Sequence, residues 1–417
     1  MPTGALIRQL TRRDAVVVGA GSMIGAGVFT AWTPAMATAG SGALIGLVIA
    51  GVVAMCNATS SAQLAARHPE SGGTYLYGRV RLNPLWGFVA GWGFVIGKLA
   101  SSAAVALTIG AYLWPSQMRE VAIAAVVIVT TINIGGLSRT AKVTRWLLAI
   151  STATIALALI SGWMGPDRWM SGPDVRWEFG ETGGLYAVLQ SAGFMFFAFA
   201  GYARIATLGE EVIDSATTIP YAIPRTLSMV LGIYLVLGVT LVAILGPDQI
   251  AATALPVRTL LMSGPLAWAA PILQAGVAIA AAGVLLNLIP GISRTMLAMA
   301  RHGDLPRGFA HIDPRRSLPL RAELMVAVVT IIVVSIMDIR GAIGFSGVAI
   351  LTYYAITNAA ALKLQASERR WSPVIALIGL IGCVVLAVTL PITQFVIALG
   401  IGMIGVIWRQ VLQRRRK

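Results

Sequence analysis

Charge is what this chain has least of: 11% of its 417 residues are Asp, Glu, Lys or Arg, against about 25% in soluble globular domains. Acidic groups are the scarcer kind, 16 against 31 basic ones. No paired carboxylates sit within an apolar stretch, no Cys/His pair is placed for nucleophilic attack, and no GxxxxGK[ST] loop occurs. ATP-driven or hydrolytic chemistry therefore has no residues to run on, and no enzyme activity is expected. The only two cysteines, Cys56 and Cys383, fall inside apolar runs and read as small core residues rather than a disulfide framework. The three histidines, His68, His302 and His311, lack ligand spacing, so neither a metal nor a cofactor is expected.

What fills the chain is apolar: 57% of it is hydrophobic, the composition of a polytopic, all-α membrane protein lodged in a lipid bilayer. A span needs about 20 apolar residues, so the length allows roughly ten to twelve helices. Twelve candidate spans are read at 15–37, 42–64, 84–112, 120–138, 146–164, 185–209, 227–245, 266–291, 322–339, 342–362, 373–390 and 393–411. The basic amino-terminal stretch lacks a cleavable small-residue site, so the first span reads as retained.

A formal charge of +15 invites a nucleic-acid reading, and the placement of the charges tests it. Of the 31 Lys and Arg, 24 fall on one side of the twelve-span pattern, counting Arg409 at the cytoplasmic end of the last span, 5 on the other, and 2, Lys98 and Arg204, deeper inside spans. That asymmetry is the positive-inside signature, which puts both termini in the cytoplasm. With no soluble basic domain, nucleic acid is not expected as a partner. The longer loop at 165–184 carries Asp167, Asp174, Glu178 and Glu181 among Trp163, Trp169 and Trp177, and reads as external, with its tryptophans at the interface.

Two spans are interrupted. Helix 1 holds Gly21-Ser22-Met23-Ile24-Gly25-Ala26-Gly27, and each glycine weakens a helix by roughly 1 kcal/mol relative to alanine. In lipid, unwound backbone survives only against protein or a cavity. Helix 6 holds Phe196-Phe197-Ala198-Phe199-Ala200-Gly201-Tyr202-Ala203-Arg204, a glycine and then a charge inside a span. Interruptions five helices apart point to an inverted repeat with a binding site where the two meet; glycine used only for close helix packing is the alternative. Lys98 is the oddest residue, some 14 residues into helix 3, where an ionisable group costs roughly 2.5 to 3.5 kcal/mol. It is expected to pair or titrate in function, the alternative being a lysine bonded to helix carbonyls.

Four stretches resemble the amino acid–polyamine–organocation superfamily of bacterial amino acid permeases. They are GAGSMIGAGVF (19–29), HPESGGTYLYGRVRLNPLWGFVAGW (68–92), FFAFAGYARIATLGEEVIDSATTIPYAI (196–223) and SRTMLAMARHGDLP (293–306). The resemblance implies a LeuT-like five-plus-five inverted repeat within a single membrane domain, 1–417. Its cytoplasmic ends would be 1–14 and 412–417, its first repeat (helices 1–5) 15–164, its second (helices 6–10) 185–362, and helices 11 and 12 would lie in 373–411. Three departures stand out. Ala203 and Arg204 replace an acidic residue common after the helix 6 glycine, Ser151 stands where many relatives have a helix 5 lysine, and helix 8 offers only Asn287 where sodium-coupled members carry hydroxyls.

What the resemblance implies is secondary active transport of an amino acid or related amine across the cell membrane by alternating access, with proton symport or exchange preferred over sodium. Freed N–H groups at Ser22, Met23, Ile24, Gly25, Ala26 and Gly27 would take the carboxylate. Freed carbonyls at Phe199, Ala200 and Gly201 would take the ammonium, with Tyr202, Ala203 and Lys98 beside them and Phe199 and Tyr202 as gates. Lys98, Arg204, Glu210, Glu211 and Asn287 are candidates for coupling or gating. Neutral substrates lead, because no mid-membrane acid could hold a cationic side chain. An acidic substrate or a polyamine on the same fold, and a non-transporting signalling or assembly protein, are the alternatives.

Overall fold

The computed structural model describes residues 11–68, 72–135, 141–165, 184–202, 212–313, 316 and 318–414. Among them are sixteen α-helices: α1 Arg12–Met23, α2 Ala26–Thr30, α3 Trp32–Ala39, α4 Ala43–Arg67, α5 Thr74–Arg81, α6 Pro84–Leu113, α7 Met118–Ile134, α8 Ala141–Trp163, α9 Gly184–Phe199, α10 Ser215–Ala252, α11 Pro256–Met262, α12 Ala270–Arg301, α13 Leu320–Ile336, α14 Ile339–Leu362, α15 Pro373–Thr389 and α16 Ile392–Arg414. The β pairing described is a single bridge between Asp313 and Leu318.

Helix starts follow local chemistry. Thr11 caps α1 in a reciprocal box with Asp14, Asn83 caps α6 ahead of Pro84, and the Asp338 carboxylate accepts from the Gly341 amide at the start of α14. Ends follow too: Leu390, extended before Pro391, stops α15. Inside α10, Gly246 takes φ 76° and breaks the helix ahead of Pro247.

Among the described residues, eight helical stretches are long and apolar enough to cross a membrane. The other four expected spans are helical where described but fall short of that length. The span at 15–37 is divided among α1, α2 and α3. The span at 185–209 is described over the 16 residues of α9 and the turns that follow it to Tyr202, and those at 322–339 and 373–390 form the 17-residue helices α13 and α15.

α6 is enclosed on nearly all sides, while α7 and α16 leave most of their surface outward. It packs against α14, α12 and α7, and α4 packs against α9 and α10. Outward faces carry Ile332, Ile336, Ile392, Ile404 and Ile407, all more than half exposed, which suits lipid and not water. The interior keeps a few polar knots. Asn358 Nδ2 donates to Asn57 Oδ1 at 2.6 Å, and the Cys383 thiol donates to the same oxygen at 3.2 Å. Both cysteines are free and buried, as small core residues should be.

Candidate functional site

α1 stops at Met23 and the chain resumes as helix at Ala26, with Ile24 at ψ 77° and Gly25 fully extended between them. α9 stops at Phe199, and Ala200, Gly201 and Tyr202 continue as turns. These two ends touch. A Cβ on Gly201 would overlap the Ser22 carbonyl oxygen and lie 2.8 Å from the Met23 nitrogen, and one on Gly27 would lie 2.7 Å from the Ala198 Cα. Neither contact leaves room for a side chain, so these two glycines are required by backbone-to-backbone approach.

A residue the sequence reading passed over bridges the same junction. Tyr234, on α10, directs its hydroxyl to the Met23 carbonyl at 2.7 Å and the Ala198 carbonyl at 3.1 Å, one from each helix end. A buried tyrosine in an apolar span needs a partner for its O–H. That need was legible in the sequence; the identity of the partners was not.

Lys98 completes the junction from α6. Its ammonium, on a residue 6% exposed, donates to the Ala200 carbonyl at 3.1 Å. That carbonyl lies just past the end of α9, where helix carbonyls lose their intrahelical partners and the dipole favours a cation. Among the described residues no carboxylate pairs with Lys98.

Other expected residues are spent differently. The Ser22 hydroxyl bonds back to the Val18 carbonyl at 2.8 Å. At Gly25 the side-chain position is taken from α12: a Cβ there would run into Cγ2 of Val284. Phe199 and Tyr202 are fully buried, with ring contacts to Tyr234 at 5.3 Å and Tyr354 at 4.9 Å respectively. Asn287 Nδ2 bonds to the Gly283 carbonyl of its own helix at 3.1 Å, and the Ser151 hydroxyl bonds to Leu147 at 2.8 Å. Ala203, Arg204, Glu210 and Glu211 lie outside the described residues.

A second polar centre links the arginine-rich loops to the last helix. Asp304, buried after α12, accepts from Arg79 at 2.8 Å, Arg409 at 2.7 Å and the Tyr75 hydroxyl at 2.8 Å. Burial and the Asp304 carboxylate both push the Tyr75 hydroxyl up from its ordinary pKa, so it stays a donor. Nearby, Arg81 grips Glu368 with two bonds of 2.9 and 2.7 Å.

The broken helix and its partner are features that recur in transporters, and comparison with known proteins agrees. The amino acid permease family model matches residues 10–408. The chain belongs to the amino acid permease family. This permease is 50% identical to an uncharacterized transporter of Mycobacterium tuberculosis, over 99% of the chain and 93% of that protein. It is 27% identical to the cationic amino acid transporter 4 of Homo sapiens, over 88% of the chain and 62% of that protein. It is also 23% identical to the branched-chain amino acid permease BcaP of Bacillus subtilis, over 96% and 92%. As a member of that family the permease is a multi-pass membrane transporter with a small-molecule amino acid substrate.

Proposed function

We propose that this permease moves a neutral amino acid across the cytoplasmic membrane by alternating access, with the junction of α1, α2 and α9 as its substrate site. In this reading the chain is a five-plus-five inverted repeat, 15–164 and 185–362, followed by two further helices, with about twelve crossings and both termini in the cytoplasm. Amides from Ser22 to Gly27 take the substrate carboxylate and carbonyls from Phe199 to Gly201 its ammonium.

The observation that carries the reading is the Lys98 ammonium on the Ala200 carbonyl. It supports a site in which that carbonyl is oriented to hold a cation. It also bears on substrate class: Lys98 and the substrate ammonium share the carbonyls of Phe199 to Gly201, and a cationic side chain would bring a further positive charge into the same poorly solvated space with no described carboxylate beside Lys98 to offset it. Relatives named for cationic and for branched-chain substrates leave that choice open, and Lys98 tips it to the neutral side. The same charge supports an acidic amino acid as the second reading, its side-chain carboxylate pairing with Lys98. Coupling is to protons or to exchange, with Lys98, bonded to the Ala200 carbonyl, as the candidate group.

Uptake into proteoliposomes, screened across neutral, acidic and cationic amino acids and polyamines, tests this. Saturable uptake of neutral amino acids is expected. Preference for lysine, arginine or polyamines overturns the assignment of substrate class. Absence of saturable uptake of any compound overturns transport at this site in favour of a signalling or assembly role.

A further inference from the structure

An apolar cavity of about 390 Å³ lies between α6, α12, α13 and α16, and it shares no residue with the junction described above. Trp92 and Leu99 line it from α6, Met296 from α12, Val329 from α13 and Trp408 from α16, with Phe309 closing one end. Its walls are wholly apolar. It opens outward: Trp408 is 51% and Ile404 64% exposed on its rim. A dry groove on the outer face of a membrane protein meets acyl chains, not water.

The closed end carries charge. Phe309 belongs to the short turn Arg307–Ala310. Arg307 starts that turn and is exposed, and a guanidinium nitrogen of Arg321, also exposed, lies 3.7 Å from the Cβ position of Gly308 in it. Neither arginine makes an ion pair among the described residues. The nearby Asp304 carboxylate is already taken by Arg79 and Arg409. Two exposed arginines with no ion pair among the described residues, one in the turn that supplies Phe309 and one beside that turn, are complementary to a phosphate with hydrocarbon attached. The lining residues also lie toward the arginine-rich ends of their helices: Trp92 is near the start of α6, Met296 near the end of α12, and Trp408 near the end of α16.

We propose that this groove is a binding site for one anionic glycerophospholipid, an acyl chain lying along Leu99 and Val329 and its phosphate against Arg307 and Arg321. The site uses α6, which carries Lys98, and α12, which carries Val284 against Gly25. A lipid seated there packs on the outer faces of two helices whose inner faces build the transport junction.

The test is native mass spectrometry of the purified, delipidated protein offered equimolar phosphatidylglycerol and phosphatidylcholine. The parent is expected to hold one phosphatidylglycerol with at least about a fivefold preference. Arg307→Gln with Arg321→Gln, both exposed positions, is expected to bring that preference to near one. Val329→Trp, which fills the slot, is expected to remove the bound lipid whatever its headgroup. Equal occupancy by the two lipids in the parent, or a preference that survives loss of both arginines, overturns the proposal. So does a mass showing a second copy of the chain, with no lipid, when Trp408 is protected. If Val329→Trp is not monodisperse, the arginine pair decides alone. Uptake plays no part in this readout, so the site stands or falls independently of the substrate assignment.

Discussion

The Tyr234 hydroxyl lies 2.7 Å from the Met23 carbonyl, at the point where α1 ends. Through its second contact, to Ala198, one side chain fastens the ends of two helices that are far apart in the chain. Interhelical hydrogen bonds in membranes average about 0.6 kcal/mol and reach about 1.7. Tyr234→Phe is therefore expected to cost roughly 1 kcal/mol in thermal unfolding and to slow uptake severalfold. Full stability with parental uptake would show that the clasp is dispensable.

Lys98→Met keeps chain length and removes the charge. Folding should survive, because no carboxylate is described that would be left unpaired. Transport is expected to fall at least tenfold or to lose its pH dependence. An unchanged rate and pH profile in proteoliposomes would make Lys98 structural.

Gly25→Leu is expected to abolish uptake, and the cause is measurable. An added Cβ meets the Val284 side chain alone, overlapping its Cγ2 and lying 3.5 Å from its Cβ, so the milder Gly25→Ala, an overpacking of about 1 to 3 kcal/mol, should be relieved by Val284→Ala. Gly201→Ala should find no such relief, because it meets the backbone of Ser22. Matching rescue at both positions would remove the distinction.

Asp304→Asn leaves Arg79 and Arg409 facing a neutral side chain in a buried setting, Asp304 being 1% exposed. Breaking a buried pair costs about 3 to 5 kcal/mol. Thermal unfolding in detergent should show a loss of that order, greater than for Arg79→Gln, whose side chain is 20% exposed.

Arg81 holds the Glu368 carboxyl down to about 2, from an ordinary 4.5. A folded-state pKa below the unfolded one contributes stability that is present above about 4.5 and lost as pH falls toward 2. Parent and Glu368→Gln should therefore differ in thermal midpoint at neutral pH and converge across that window. A constant gap through it would show that the pair does not titrate as described.

The break in helix 1 was legible because glycines 21, 25 and 27 carry a local, additive penalty that needs no knowledge of the rest of the chain. Lys98 was legible for a similar reason: one charge in an apolar run stands out. Its partner was not, because the Ala200 carbonyl is a backbone atom 102 residues away. Asp304 drew no reading of its own, since its role depends on Arg79 and Arg409, 225 and 105 residues distant. Gly25 was read for its own freedom, and only the arrival of α12 shows that Val284 already uses the space. The spans at 322–339 and 373–390 were legible as the apolar helices α13 and α15, but their 17-residue length was not, because hydropathy registers composition and not where a helix stops.

Gly201 and Ser22 meet backbone against backbone, and this has a kinetic consequence. A substrate held between these chains can enter only after they have parted, so separation precedes arrival. Binding at this junction should then run well below the diffusional limit, and its observed rate should level off as substrate concentration rises, set by how often the protein itself loosens there.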